Sequence, residues 1–119
     1  MKGKALMLTM IVSVSVAAVV ALGTPARAAP RTTTINVITH NSTFILSART
    51  APRGVVIFKV TNTASFGHDF SINGHTTRVL KTGQSATLRV TFLRPGHYVW
   101  KDTVDHHAQW GDEGGFTIT

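Results

Sequence analysis

Residues 85–102 read SATLRVTFLRPGHYVWKD. Ala86, Leu88, Val90 and Phe92 fall on one parity, against Thr87, Arg89 and Thr91 on the other. After the break at Arg94-Pro95-Gly96, a second parity set begins with Tyr98, Trp100 and Asp102. Strict alternation marks a strand with one buried face, and Pro-Gly marks a turn. The same rule has a chemical consequence. If Tyr98 and Trp100 face a core, Asp102 faces it too. A carboxylate is costly to bury unless it is paired, hydrogen-bonded or bound to a cation.

The pattern extends in both directions from this stretch. Ile35, Val37 and Thr39 alternate with Asn36, Ile38 and His40, and Phe44, Leu46 and Ala48 repeat the spacing. Gly54 to Thr61 is β-branched and aromatic, as buried strands are. His68, Phe70 and Ile72 share a face, and Phe116 and Ile118 close the chain. Turn chemistry recurs at Ala51-Pro52-Arg53-Gly54, Asn73-Gly74 and Thr82-Gly83-Gln84. No stretch after residue 30 carries helical periodicity. These signals predict an all-β fold, an antiparallel Greek-key sandwich or barrel of about seven strands.

The first residues have a different character. Lys2 and Lys4 precede an apolar run, Ala5 to Leu22, and Ala26-Arg27-Ala28 offers a small-residue cleavage site. Residues 1–28 are expected to be a signal peptide, with an uncleaved anchor as the rival. Residues 29–34 are expected to be a short flexible leader and residues 35–119 the domain. The expected destination is outside the cytoplasm, periplasmic or secreted. Without Lys2, Lys4 and Arg27, nine basic residues face five acids, a net charge of about +4. The basic residues are dispersed, without the dense footprint of a nucleic-acid binder. They suit a solvated surface or an acidic, exported protein partner. The chain has no cysteine. That excludes disulfides, thiolate metal sites and thiol catalysis.

The five acids are not dispersed. Asp69 adjoins His68, and Asp102, Asp105, Asp112 and Glu113 lie around His106-His107. Such a concentration in a basic chain points to a bound cation. Acids gathered in a solvated loop are the alternative. His75 and His97 are expected at the surface, His97 by its parity opposite to Tyr98. Trp110 could shield the loop, dock a partner or pack in the core.

The order of Val56 to Asn62, His68-Asp69-Phe70-Ser71-Ile72, Thr82 to Leu88, Pro95 to Trp100 and Gly111 to Thr119 resembles the cupredoxins. These are the small copper-binding Greek-key sandwiches that include plastocyanin and pseudoazurin. The resemblance spans about residues 35–119. In that family a late loop reads approximately Cys-x4-His-x4-Met, with a glycine before the Met, and an earlier histidine completes the copper site. The resemblance sets Asp102 at the Cys position, His107 at the His, Gly111 at the glycine, Asp112 at the Met and His68 at the early His. It thus implies a metal set of His68, Asp102, His107 and Asp112. His106 rivals His107, and Glu113 rivals Asp112. Asp69 and Asp105 are expected as surface groups or as carboxylates supporting a metal-bound imidazole.

Both sulfur positions of the family carry Asp here. Type 1 blue-copper electron transfer needs a thiolate, so that role is not expected. Imidazole with carboxylate suits Cu(II) first and Zn(II) second. The expectation is an exported metal-holding or metal-delivering protein without enzymatic activity. A metal-free interaction module is the alternative, and metal-assisted hydrolysis ranks last.

Overall fold

The structure is a computed structural model that describes residues 31–105, 107 and 112–119. The expected signal peptide, His106, Trp110 and Gly111 lie outside these residues. Nine strands are described: β1 (Thr32–Thr39), β2 (Phe44–Leu46), β3 (Thr50–Ala51), β4 (Gly54–Asn62), β5 (Ser71–Ile72), β6 (His75–Thr76), β7 (Ser85–Phe92), β8 (Gly96–Lys101) and β9 (Glu113–Ile118). They form a four-stranded sheet in the order β2-β1-β4-β7 and a five-stranded sheet in the order β3-β9-β8-β5-β6.

The all-β expectation holds, with three corrections. The sheets are mixed, because β1 runs parallel to β4 and β3 runs parallel to β9. Strands exceed seven because β3, β5 and β6 are two-residue pieces. Residues 32–34, expected in a leader, belong to β1, where Thr32 to Thr34 register with Val55 to Ile57. Polar threonines join a strand readily when a β-branched neighbour offers a free ladder. One smaller difference concerns Ala48, which is exposed because β2 ends at Leu46.

The opening stretch supplies one strand to each sheet. β7 pairs with β4, and β8 pairs with β5 and β9. The Arg94-Pro95-Gly96 turn is therefore a corner between sheets, and Gly96 takes the φ of 152° that the corner needs. Asn73 and Gly74, with φ of 51° and 79°, join β5 to β6 as a two-residue hairpin.

Inward residues of both sheets meet in one core. Val56, Phe58, Val60, Val90 and Phe92 come from one sheet, and Ile72, Trp100, Phe116 and Ile118 from the other. Phe58 bridges the layers, with ring centroids 5.1 Å from Phe70 and 5.4 Å from Phe116. Trp100 stacks on Phe44 at 5.1 Å and 10°. Its indole lies where Gly114 has no side chain, since a Cβ there would come within 2.6 Å of Trp100 Cζ2. This aromatic column leads to one end of the sandwich, where Phe44 meets His68 edge-on at 5.4 Å.

Candidate metal centre

Four segments deliver polar side chains to that end. His68 is held by an isolated antiparallel bridge to Leu80, with His68 N donating to Leu80 O at 3.1 Å and Leu80 N to His68 O at 2.7 Å. Asp102 directly follows β8, as parity requires. Asp112 directly precedes β9, and Asp102 N donates to Asp112 O at 3.0 Å, continuing the β8–β9 pairing one step beyond Lys101 and Glu113. His107 sits in the intervening loop, where its N donates to Val104 O at 2.9 Å and its O accepts from Asp112 N at 3.1 Å.

All four side chains are buried, and His68, Asp102, His107 and Asp112 each bring one donor atom into a group within 4.8 Å. Asp102 Oδ2 takes His107 Nδ1 at 2.8 Å and also contacts His68 Nδ1. Asp112 Oδ2 lies 3.7 Å from His68 Nδ1. Asp102 Oδ1 accepts from Val104 N at 2.9 Å and Asp69 N at 3.3 Å. An ionised carboxylate only accepts, so both imidazoles present Nδ1–H to it. His68 Nε2 is buried without a hydrogen-bond partner among the described residues. Asp112 Oδ1 is in the same condition.

The two carboxylates are tuned in opposite directions. Burial pushes Asp102 up, but the Val104 amide and the His68 and His107 rings more than offset this and hold it below the ordinary carboxylate value. Burial pushes Asp112 above that value, the histidines offset part of the rise, and the Asp102 charge adds to it. Asp112 thus carries the desolvation cost without the compensating hydrogen bonds.

The acidic rivals differ in burial, whereas His106 lies outside the described residues. Glu113 is exposed on β9, whereas Asp112 is 2% exposed. Asp105 is exposed at a positive φ of 41° and makes no carboxylate–imidazole contact among the described residues. Asp69 is 4% exposed, not a surface group, and it supports the loop instead of an imidazole. It accepts from Thr103 N at 2.6 Å and also from the Thr103 hydroxyl. Burial, opposed by these bonds and reinforced by Asp102, raises its pKa. His75 and His97 are exposed as expected.

Two further contributors were not singled out from sequence. Phe66, 43% exposed, packs its ring 4.9 Å from that of His68 and 5.3 Å from that of His107. With Gly67, Val104, Asp105 and His107 it lines a shallow depression of about 340 Å³. Asn62 is fully buried at the end of β4. Parity with Val56, Phe58 and Val60 could have flagged it as an inward polar residue.

The donor set fits a divalent transition metal. Bonds of about 2.0–2.2 Å to His and Asp place any two ligand atoms at most ~4.4 Å apart. The widest donor pair needs only a small contraction to meet that limit, while the Asp102 contacts to His68 and His107 would open to admit an ion. Two carboxylates and two neutral imidazoles would balance the charge of a buried divalent ion, and two of their polar atoms lack other partners among the described residues.

No protein-family model matches the sequence, and no curated protein matches it by sequence comparison. Solved structures do match by fold. Dithionite-reduced auracyanin from Roseiflexus castenholzii superposes with a TM-score of 0.65 at 20% identity, over 73% of this chain and 97% of that one. Auracyanin A from Chloroflexus aurantiacus, a "blue" copper protein, gives 0.61 at 10% identity, over 75% and 100%. The multicopper oxidase of Campylobacter jejuni, a metallo-oxidase, gives 0.62 at 11% identity, and this chain matches 31% of its length. The chain is cupredoxin-like in fold, and a buried His/Asp cluster able to hold a metal ion lies at one end of the sandwich. No helix among the described residues is long and apolar enough to cross a membrane.

Proposed function

We propose that this protein binds a divalent transition metal, copper before zinc, through His68, Asp102, His107 and Asp112, and that it holds or delivers the ion outside the cytoplasm. The observation that carries the reading is the buried convergence of all four side chains, with His68 Nε2 and Asp112 Oδ1 unpartnered among the described residues. The copper proteins among its structural neighbours agree with it. His68 and His107 already turn toward the Asp102 carboxylate, so the candidate ligands are gathered before any ion is bound. Bound Cu(II) would supply a Lewis-acidic, redox-capable centre. With no cysteine in the chain, the thiolate that makes copper blue is missing. Holding and transfer of the ion therefore fit better than electron carriage or an enzymatic role.

Calorimetric titration of the domain with Cu(II) and Zn(II) tests the assignment. Wild type should bind one equivalent, and His68→Ala and His107→Ala should each weaken binding sharply. Unchanged micromolar affinity in both variants would sink it.

A second reading has one observation in its favour. Asp102 is already satisfied by two imidazoles and two amides, so the cluster is partly closed without any ion. It would then be a polar staple in a metal-free interaction module. A native-state ligand must raise the melting temperature. Absence of any shift with Cu(II), Zn(II) or a chelator would favour the staple.

A further inference from the structure

We infer that Asn62 is a positioning residue for this centre, fixing the segment that carries His68 before an ion arrives. The inference rests on the metal-binding reading above and adds a residue outside the ligand set.

Asn62 sits on the inward parity of β4, where Val56, Phe58 and Val60 are aliphatic or aromatic. A buried amide there has four hydrogen-bonding positions to satisfy. All four are used, and they divide into two arms. On the oxygen arm, Oδ1 accepts from Thr39 Oγ1 at 2.7 Å and from Ala64 N at 2.8 Å. On the nitrogen arm, Nδ2 donates to Phe66 O at 2.9 Å and to Leu80 O at 2.7 Å.

The oxygen arm ties β4 to β1 and to the start of the following turn. The nitrogen arm reaches the centre. Leu80 O also accepts from His68 N, so one carbonyl is shared by Asn62 and by the His68 bridge. Phe66 is two residues before His68, and its ring packs on both imidazoles. Asn62 thus pins the main chain on the near side of His68, at Phe66, and across from it, at Leu80. The imidazole at the end of that backbone has little freedom left. Pre-ordering of this kind lowers the cost of gathering ligands around an ion, and loss of such support typically weakens metal binding about 10–100-fold.

The two arms allow a clean test. Asn62→Asp keeps the oxygen arm and replaces the donor with an acceptor facing two carbonyls. Thr39→Val removes the main oxygen-arm partner and leaves the nitrogen arm intact. Both should lower the melting temperature of the metal-free protein. Only Asn62→Asp should weaken Cu(II) affinity, by about 10–100-fold in a competition titration, and change the EPR spectrum of the bound ion. Amide hydrogen exchange of metal-free protein gives an independent readout. Protection of the His68 and Leu80 amides should fall in Asn62→Asp and hold in Thr39→Val.

Full protection in Asn62→Asp overturns the positioning role, whatever the metal data. Lost protection with unchanged Cu(II) affinity also overturns it, leaving Asn62 purely structural. Equal loss of affinity in the two variants overturns it as well, since stability would then be the cause. If wild type binds no Cu(II) or Zn(II), the metal-binding reading fails, and this claim about readiness for an ion fails with it. The exchange data would still separate that outcome from a failure of the hydrogen-bond arm itself.

Discussion

The middle of the sandwich and the polar end of its aromatic column are built on opposite principles. At the middle of the sandwich, Phe58, Phe70, Phe92 and Phe116 are fully or almost fully buried and need nothing but one another. At the end, His68, Asp102, His107 and Asp112 are nearly as buried, yet two of their atoms have no partner among the described residues. Burial stabilises the first region and burdens the second. A domain this small, without cysteine, has little stability to spare. A costly polar cluster in such a domain suggests a use beyond folding, and an ion is the partner the chemistry fits.

That contrast can be broken at either region. The largest effect should come from the middle. Phe58→Ala should cost about 3–5 kcal/mol, the range for deleting a buried aromatic ring, and urea denaturation reads it directly. Added Cu(II) should restore only part of the loss, because its contribution is limited by mass action. Next in size is Asp102→Asn. It removes the charge that two imidazoles and two amides share, so metal-free stability should fall by about 2–3 kcal/mol, with metal response lost as well. An increase in stability would show that Asp102 is as poorly compensated as Asp112.

Thr103→Val should cost about 1–2 kcal/mol, because the buried Asp69 carboxylate would lose the Thr103 hydroxyl and keep only its amide. A thermal melt suffices to measure it. The smallest effect should have the opposite sign. Asp112 has a folded pKa raised above its unfolded value. Its contribution is therefore favourable at low pH and is lost as pH rises through the folded pKa. Asp112→Asn escapes that loss. The metal-free variant should be more stable than wild type at neutral pH by on the order of 1 kcal/mol, a few degrees of melting temperature. The advantage should vanish below about pH 3.9, the unfolded carboxylate value. Copper, expected to raise the melting temperature of wild type, should not raise that of this variant. An advantage that persists at low pH would place the cause outside the charge.

Much of this was legible in residue order. Parity placed His68 and Asp102 inward and His97 outward, because period-two alternation reports side-chain direction inside a regular strand. It could not report which strand lies beside which, since parallel and antiparallel neighbours leave the same alternation. The β1–β4 and β3–β9 pairings were invisible for that reason. The two-residue strands are shorter than any periodicity. Asp69 shows where the rule stops. Alternation from His68 would turn it outward, but only His68 of that pair is in a bridge, and the backbone at residue 69 is free to aim the carboxylate at Thr103. Asn62 was hidden differently, as a polar letter ending an apolar strand that looks like a strand's natural exit to solvent. His107 and Asp112 came from family spacing, not from residue physics, because a loop carries no period.

The pairing of Asp102 with Asp112 across the end of β8 and β9 separates two design tasks. Trp100 with Gly114, Lys101 with Glu113 and Asp102 with Asp112 are successive rungs, so the distance between the carboxylates is set by sheet geometry. The loop between them determines only where His107 falls. Such a segment works as a cartridge between two candidate ligand positions, which the paired strands hold as rulers on either side. Metal preference in a scaffold of this kind could be retuned by exchanging one short segment, without touching the core that makes it fold.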